Sequence, residues 1–178
     1  MKKVILFAAI LFSSISIMSV QAQTSTSDQD EATLTLNLSA VQSIKVDGNV
    51  VINYTEADDY ANGKAGETAT TVTVTSAGGF AVRAEAEDLK DGSYTIASST
   101  IAVKAEGVDN ATGASYATDA TLEKVGEGKA ALITSGIGGV NKKYSVTYEG
   151  SGSNEYMKNY NEGGRNYETT VIFTVSAS

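Results

Sequence analysis

A chain that catalyses at neutral pH needs a titratable pair or an activated nucleophile, and here the supply is short. The 178 residues include no histidine and no cysteine. The first absence removes the one side chain that ordinarily changes charge near neutrality. The second removes thiolate nucleophiles, thiolate metal ligands and disulfides. Serines are plentiful, but none stands in a Gly-x-Ser-x-Gly elbow. Twenty-one carboxylates could supply the facing pair that glycoside hydrolysis requires, yet no spacing selects two of them. Gly136-Ile137-Gly138-Gly139 has the glycine density of a phosphate cradle without its lysine or following helix, and reads as a strand-linking loop. Glu56, Asp58 and Asp59 offer oxygen ligands without the spacing of a calcium loop, and read as a solvated acidic connection. No catalytic, cofactor-binding or metal-binding residue is expected, and the chain is expected not to be an enzyme.

Binding chemistry has better material. The stretch from Gly150 to Arg165 is rich in Gly, Asn and Tyr. Tyr156, Tyr160, Asn154, Asn159 and Arg165 are its candidate ligand contacts, because tyrosine stacks and asparagine hydrogen-bonds at low cost in ordering. The alternative role for these tyrosines is to cover one end of the fold. Tyr144 and Tyr148 differ: they share the apolar face of an alternating stretch and are expected in the core.

The elements that would carry such a site are strands. Thr70 to Thr75 and Phe80 to Ala86 each alternate with period two around Ala77-Gly78-Gly79, which predicts two antiparallel strands joined as a hairpin. Ala32 to Leu38 alternates Leu34, Leu36 and Leu38 against Thr33, Thr35 and Asn37. It suits either a first strand of the domain or a strand donated to a neighbouring subunit. Val41 to Val46, with Ile44 and Val46 inward, and Val50 to Tyr54 are expected to pair across Asp47-Gly48-Asn49. Tyr94 to Ile96, Ile101 to Ala105, Leu122 to Val125, Ala130 to Thr134 and Lys143 to Glu149 are further candidates. Tyr167 to Ser176 closes the chain, with Val171, Phe173 and Val175 expected in the core of a sheet. No stretch reads as a helix. Eight to ten short strands between turn signals predict an all-β, antiparallel β-sandwich.

The N-terminus reads as an address. Met1-Lys2-Lys3, an apolar run from Val4 to Val20 and Val20-Gln21-Ala22 form the pattern of a secretory signal peptide cut after Ala22. The run is near 17 residues and carries four serines, which is short for a membrane span. Residues 23–31 are polar and expected to be disordered, leaving residues 32–178 as a single sandwich domain. Loss of Lys2 and Lys3 would take the formal charge from −8 to −10. That balance argues against nucleic acid and anionic membrane surfaces, which require a basic patch. The expected location is periplasm, outer surface or medium.

Gly163-Gly164-Arg165-Asn166-Tyr167-Glu168-Thr169-Thr170-Val171-Ile172-Phe173-Thr174-Val175 resembles the closing strand of spore-coat-U-like, archaic chaperone–usher pilin domains. Leu34 to Ile44, Asp59 to Gly63 and Thr71 to Ser76 are similar to stretches of small secreted all-β proteins of Gram-negative bacteria. The chain departs from those pilins in lacking a cysteine pair and in the polarity of residues 23–31. The resemblance implies a non-enzymatic secreted structural or adhesive protein of the cell surface, pilus-like, that meets itself or a partner protein through an edge strand. The alternative is a carbohydrate- or protein-binding module using loop 150–166.

Overall fold

A computed structural model describes residues 30–127, 130–159 and 164–178. The signal-peptide reading, and Tyr160 with it, lies outside the described residues. The chain divides into an N-terminal unit ending at Asn37 and a second unit, Leu38–Ser178.

The second unit is all-β and antiparallel. Its strands are β1 (Gln42–Asp47), β2 (Lys64–Ala65), β3 (Thr70–Ser76), β4 (Phe80–Ala86), β5 (Leu89–Asp91), β6 (Tyr94–Ile96), β7 (Ile101–Asp109), β8 (Ala114–Tyr116), β9 (Ala120–Thr121), β10 (Ile133–Ser135), β11 (Gly139–Gly150) and β12 (Val171–Ala177). One sheet runs β1-β3-β11-β7-β9, with β2 added on β11; the other runs β12-β4-β10-β8. β5 and β6 form a separate hairpin.

β3 and β4 are the centre of the fold, but not as the predicted hairpin. β3 pairs with β1 and β11, and β4 pairs with β10 and β12. The chain therefore leaves one sheet at Ser76 and enters the other at Phe80, so the two strands face each other across the core. Val72 and Val74 meet Phe80, Val82, Ala84 and Ala86 in one buried cluster. Period two records only that one face of each strand is buried. Pairing within a sheet and packing between sheets leave the same record. β10 and β11 repeat the crossing at the same end of the sandwich, through Gly136-Ile137-Gly138. Gly138 is required there by close approach: a Cβ would run into the backbone of Ser76 and Ala77.

The core adds Val103, Leu132, Ile133, Val146 and the two tyrosines expected there, Tyr144 and Tyr148. Each fully buried apolar side chain of this size contributes about 1.5–3 kcal/mol. Lys142 is also buried. Its ammonium donates to Thr112 O at 2.9 Å, Ser135 Oγ at 3.0 Å and Ile137 O at 3.1 Å, which supplies three acceptors for three N–H groups.

Four other expectations change. Ala32 to Leu38 forms no strand, and Leu34, Leu36 and Leu38 are 95%, 77% and 84% exposed. Val50 to Tyr54 does not pair with β1; it runs extended, with Val50, Ile52 and Tyr54 packed on the core and Val51 O accepting from Glu67 N at 3.0 Å. β1 instead pairs with β3, where Ile44 is half-buried and Val46 is exposed. β12 lies at the end of its sheet, so Val171, Phe173 and Val175 face the core but are only half-buried.

A helix also forms, α1 (Ala57–Asn62), inside the acidic connection. It is too short for a hydrophobic period to show. Its start is set by Asp59, whose carboxylate accepts from Thr55 N at 2.8 Å and Glu56 N at 3.1 Å and pairs with Lys64 at 2.8 Å. Its end is set by Gly63 at φ +89°, where the N–H closes on Asp59 O at 2.9 Å.

Candidate functional site

The two sheets are joined differently along their two long sides. On one side, Ala120 and Thr121 pair with β7, Leu122 N donates to Ile101 O at 2.8 Å, and Glu123 forms a bridge to Glu85 of β4. A single segment thus stitches one sheet to the other. On the opposite side lie β1 and β12, the last strands of their sheets. Among the described residues no strand pairing joins them, and each has one partner strand only. The two strands lie close together along this seam but share no backbone ladder among the described residues.

A groove of about 1090 Å³ crosses one end of the sandwich, from Val46 and Val171 on the seam side to Ile101 and Leu122 on the stitched side. Its apolar surface comes from Val50, Ile52, Leu89, Ile96, Ile101, Leu122, Val171 and Phe173. The alternation of Val50, Ile52 and Tyr54 places these three towards the core along one wall. β12 and the residues leading into it, Gly164 to Thr170, line the other. The half-burial of β12 has its physical cause in its place as the last strand of its sheet: one edge is bonded to β4, the other has no partner strand among the described residues, and Val171 and Phe173 face the groove.

Tyrosines close one end. Tyr54 packs against Tyr60, tilted at 55°, and edge-on against Tyr156, with ring centroids 5.2 Å apart in both cases. Tyr54 donates to Ser151 O at 2.9 Å. Burial, and then Tyr156, push its phenol well above the ordinary tyrosine range. At this end Asp59 is held well below the ordinary carboxylate range, first by Lys64 and then by the Thr55 and Glu56 amides. It stays ionised through neutral pH and anchors α1 and is not a candidate proton donor.

The residues expected to contact a ligand are used by the fold. Tyr156 is buried; its hydroxyl bonds Thr100 Oγ1 at 2.8 Å and accepts from Ser151 N at 3.2 Å. Asn159 donates from Nδ2 to Thr95 O at 3.2 Å. Arg165 lies over the Tyr94 ring, 3.5 Å from its centroid, with Asp91 at 3.5 Å. These three line the groove. Asn154 does not; it is exposed, in a turn at φ +59°. The structure thus brings three of the five together, at the groove wall instead of a projecting loop. The groove's apolar lining was legible only as strand alternation, which does not say that a strand lies at an edge.

Among the described residues no group of three or more His, Cys, Asp and Glu side chains is placed to hold a metal ion. Nor is any helix there long and apolar enough to cross a membrane. No protein-family model matches the chain, and no curated protein does.

Proposed function

We propose that the chain is a non-enzymatic, secreted structural or adhesive protein of the bacterial cell surface that associates with a further copy by strand addition. One observation carries this reading. Leu34, Leu36 and Leu38 alternate on a segment without strand partners among the described residues and are 95%, 77% and 84% exposed. Exposure of three such side chains on one face is costly unless something covers them. The groove of a second copy offers apolar lining, with β12, the last strand of its sheet, on one wall. Lengths agree: the seven residues 32–38 extend over about 23 Å, and β12 also has seven residues.

Magnitudes decide what the contact must contain. Burying three leucines contributes about 5–9 kcal/mol. Association costs about 4–15 kcal/mol in lost freedom. Side chains alone therefore roughly balance, and backbone ladder bonds to a free edge must supply the surplus. This favours strand addition over loose apolar contact. The alternative, a glycan-binding loop, draws less support, because Tyr156, Asn159 and Arg165 are engaged within the fold.

Sedimentation velocity of the exported protein, compared with a variant carrying Leu34→Ser, Leu36→Ser and Leu38→Ser, tests the reading. Concentration-dependent oligomers in the parent and monomers in the variant are expected. Equal association of the two, or a parent monomeric at all concentrations up to the millimolar range, would remove it.

A further inference from the structure

The hairpin of β5 and β6 belongs to neither sheet, and its position gives it a different job from theirs. Its inward pair, Leu89 opposite Ile96, forms part of the groove wall. Beyond that pair the hairpin is tied by polar contacts to the residues leading into β12. Lys90 and Glu168 exchange two backbone hydrogen bonds of 3.0 Å. Arg165 covers the outer pair, Asp91 opposite Tyr94: its guanidinium lies 3.5 Å from the Tyr94 ring centroid and 3.5 Å from the Asp91 carboxylate. The Arg165 side chain is only 15% exposed there, so the cation is largely removed from water. Deep in the groove beside the hairpin stand Ile101 and Leu122, 5% and 2% exposed.

We propose that Arg165 is a clasp, holding the β5–β6 hairpin against the lead-in to β12, and that its release governs access of an incoming strand to the groove. The reading of the groove as a strand acceptor underlies the second half of this statement. The physical case is one of unequal anchoring. Among the described residues the hairpin has three paired residues per strand and, beyond the single Lys90–Glu168 bridge, no pairing to another strand, whereas β3 and β11 are bonded on both sides. Units of that kind open locally at much lower cost than the whole domain. A single cation that touches both an aromatic face and a carboxylate adds to the Lys90–Glu168 backbone bonds and to the bond from Asn159 to Thr95 O in keeping such a unit closed. Opening exposes Leu89, Ile96 and the floor beneath, the apolar surface that a strand bearing leucines at alternate positions can cover.

The absence of cysteine allows a direct test on the full-length protein. One cysteine is introduced at the groove floor, Ile101→Cys, and in a second protein at a core site away from the groove, Val74→Cys. The rate of labelling by a thiol reagent in native buffer is measured with Arg165 present and with Arg165→Gln. The expected result is about a tenfold faster labelling at position 101 in the Arg165→Gln background, with the rate at position 74 unchanged. Equal rates at position 101, or equal acceleration at both positions, would overturn the clasp. A fluorescent peptide of residues 31–39 is added to the same proteins. Uptake that quickens with labelling at position 101 is the expected result. Faster labelling without uptake by either protein keeps the clasp and removes the strand-acceptor reading.

Discussion

Tyr144 offers the sharpest energetic test of the core. Its ring is fully buried between Phe80 and Tyr116, with centroids 6.3 Å away on both sides. Its hydroxyl is buried and has no hydrogen-bond partner among the described residues. A buried polar group left unpaired costs about 1–3 kcal/mol. Tyr144→Phe removes that cost and leaves a gap of one oxygen atom, so a net gain of about 1–2 kcal/mol is expected. For a domain of this size that is about 3–8 °C in Tm. The pH dependence supplies a second reading. Burial pushes the phenol from 10.0 up to about 12. The unfolded chain therefore releases this proton at lower pH than the folded one. The sign follows: below pH 10 the group adds no pH dependence, and stability falls as pH rises from about 10 to about 12. The gap amounts to about 3 kcal/mol at about 1.4 kcal/mol per pH unit. Urea unfolding at pH 7 and at steps up to pH 12 measures both effects as the difference between wild type and variant, which cancels the other tyrosines. A wild type more stable than Tyr144→Phe at pH 7 would show that the hydroxyl has a partner and refute the reasoning.

Two further outcomes follow from local geometry. Gly138→Ala should lower stability by about 1–3 kcal/mol, because its Cβ meets backbone that cannot yield, whereas Gly78→Ala, with open space around it, should change the urea midpoint little. Asp59→Asn should lower Tm at neutral pH and flatten the acid limb of a Tm-versus-pH curve. Asp59 is held below its ordinary 3.8 in the folded state, so its contribution is present above about pH 4 and lost as pH falls below that value.

Alternation alone established which faces are buried. Val72, Val74, Phe80, Val82, Tyr144 and Val146 could all be assigned inward from period two, and the structure buries each of them. The all-β class followed from the same pattern and its turn residues. Which strand lies beside which was decided only in three dimensions. Strands pair through N–H and C=O groups that every residue carries, so Ala77-Gly78-Gly79 could as well turn within a sheet as cross between two. The same limit concealed the seam. Val171, Phe173 and Val175 alternate like Val72 and Val74, but one set lies in a sheet's last strand and the other between two strands. Helix α1 rests on one carboxylate serving two amides and a lysine, a local arrangement with no periodic trace. Tyr156 and Arg165, polar and loop-borne in the sequence, were drawn into the fold by partners 56 and 74 residues away, Thr100 and Asp91. Contacts of that separation exist only once the sheets have stacked, because it is the sandwich that brings both ends of each contact to the same wall.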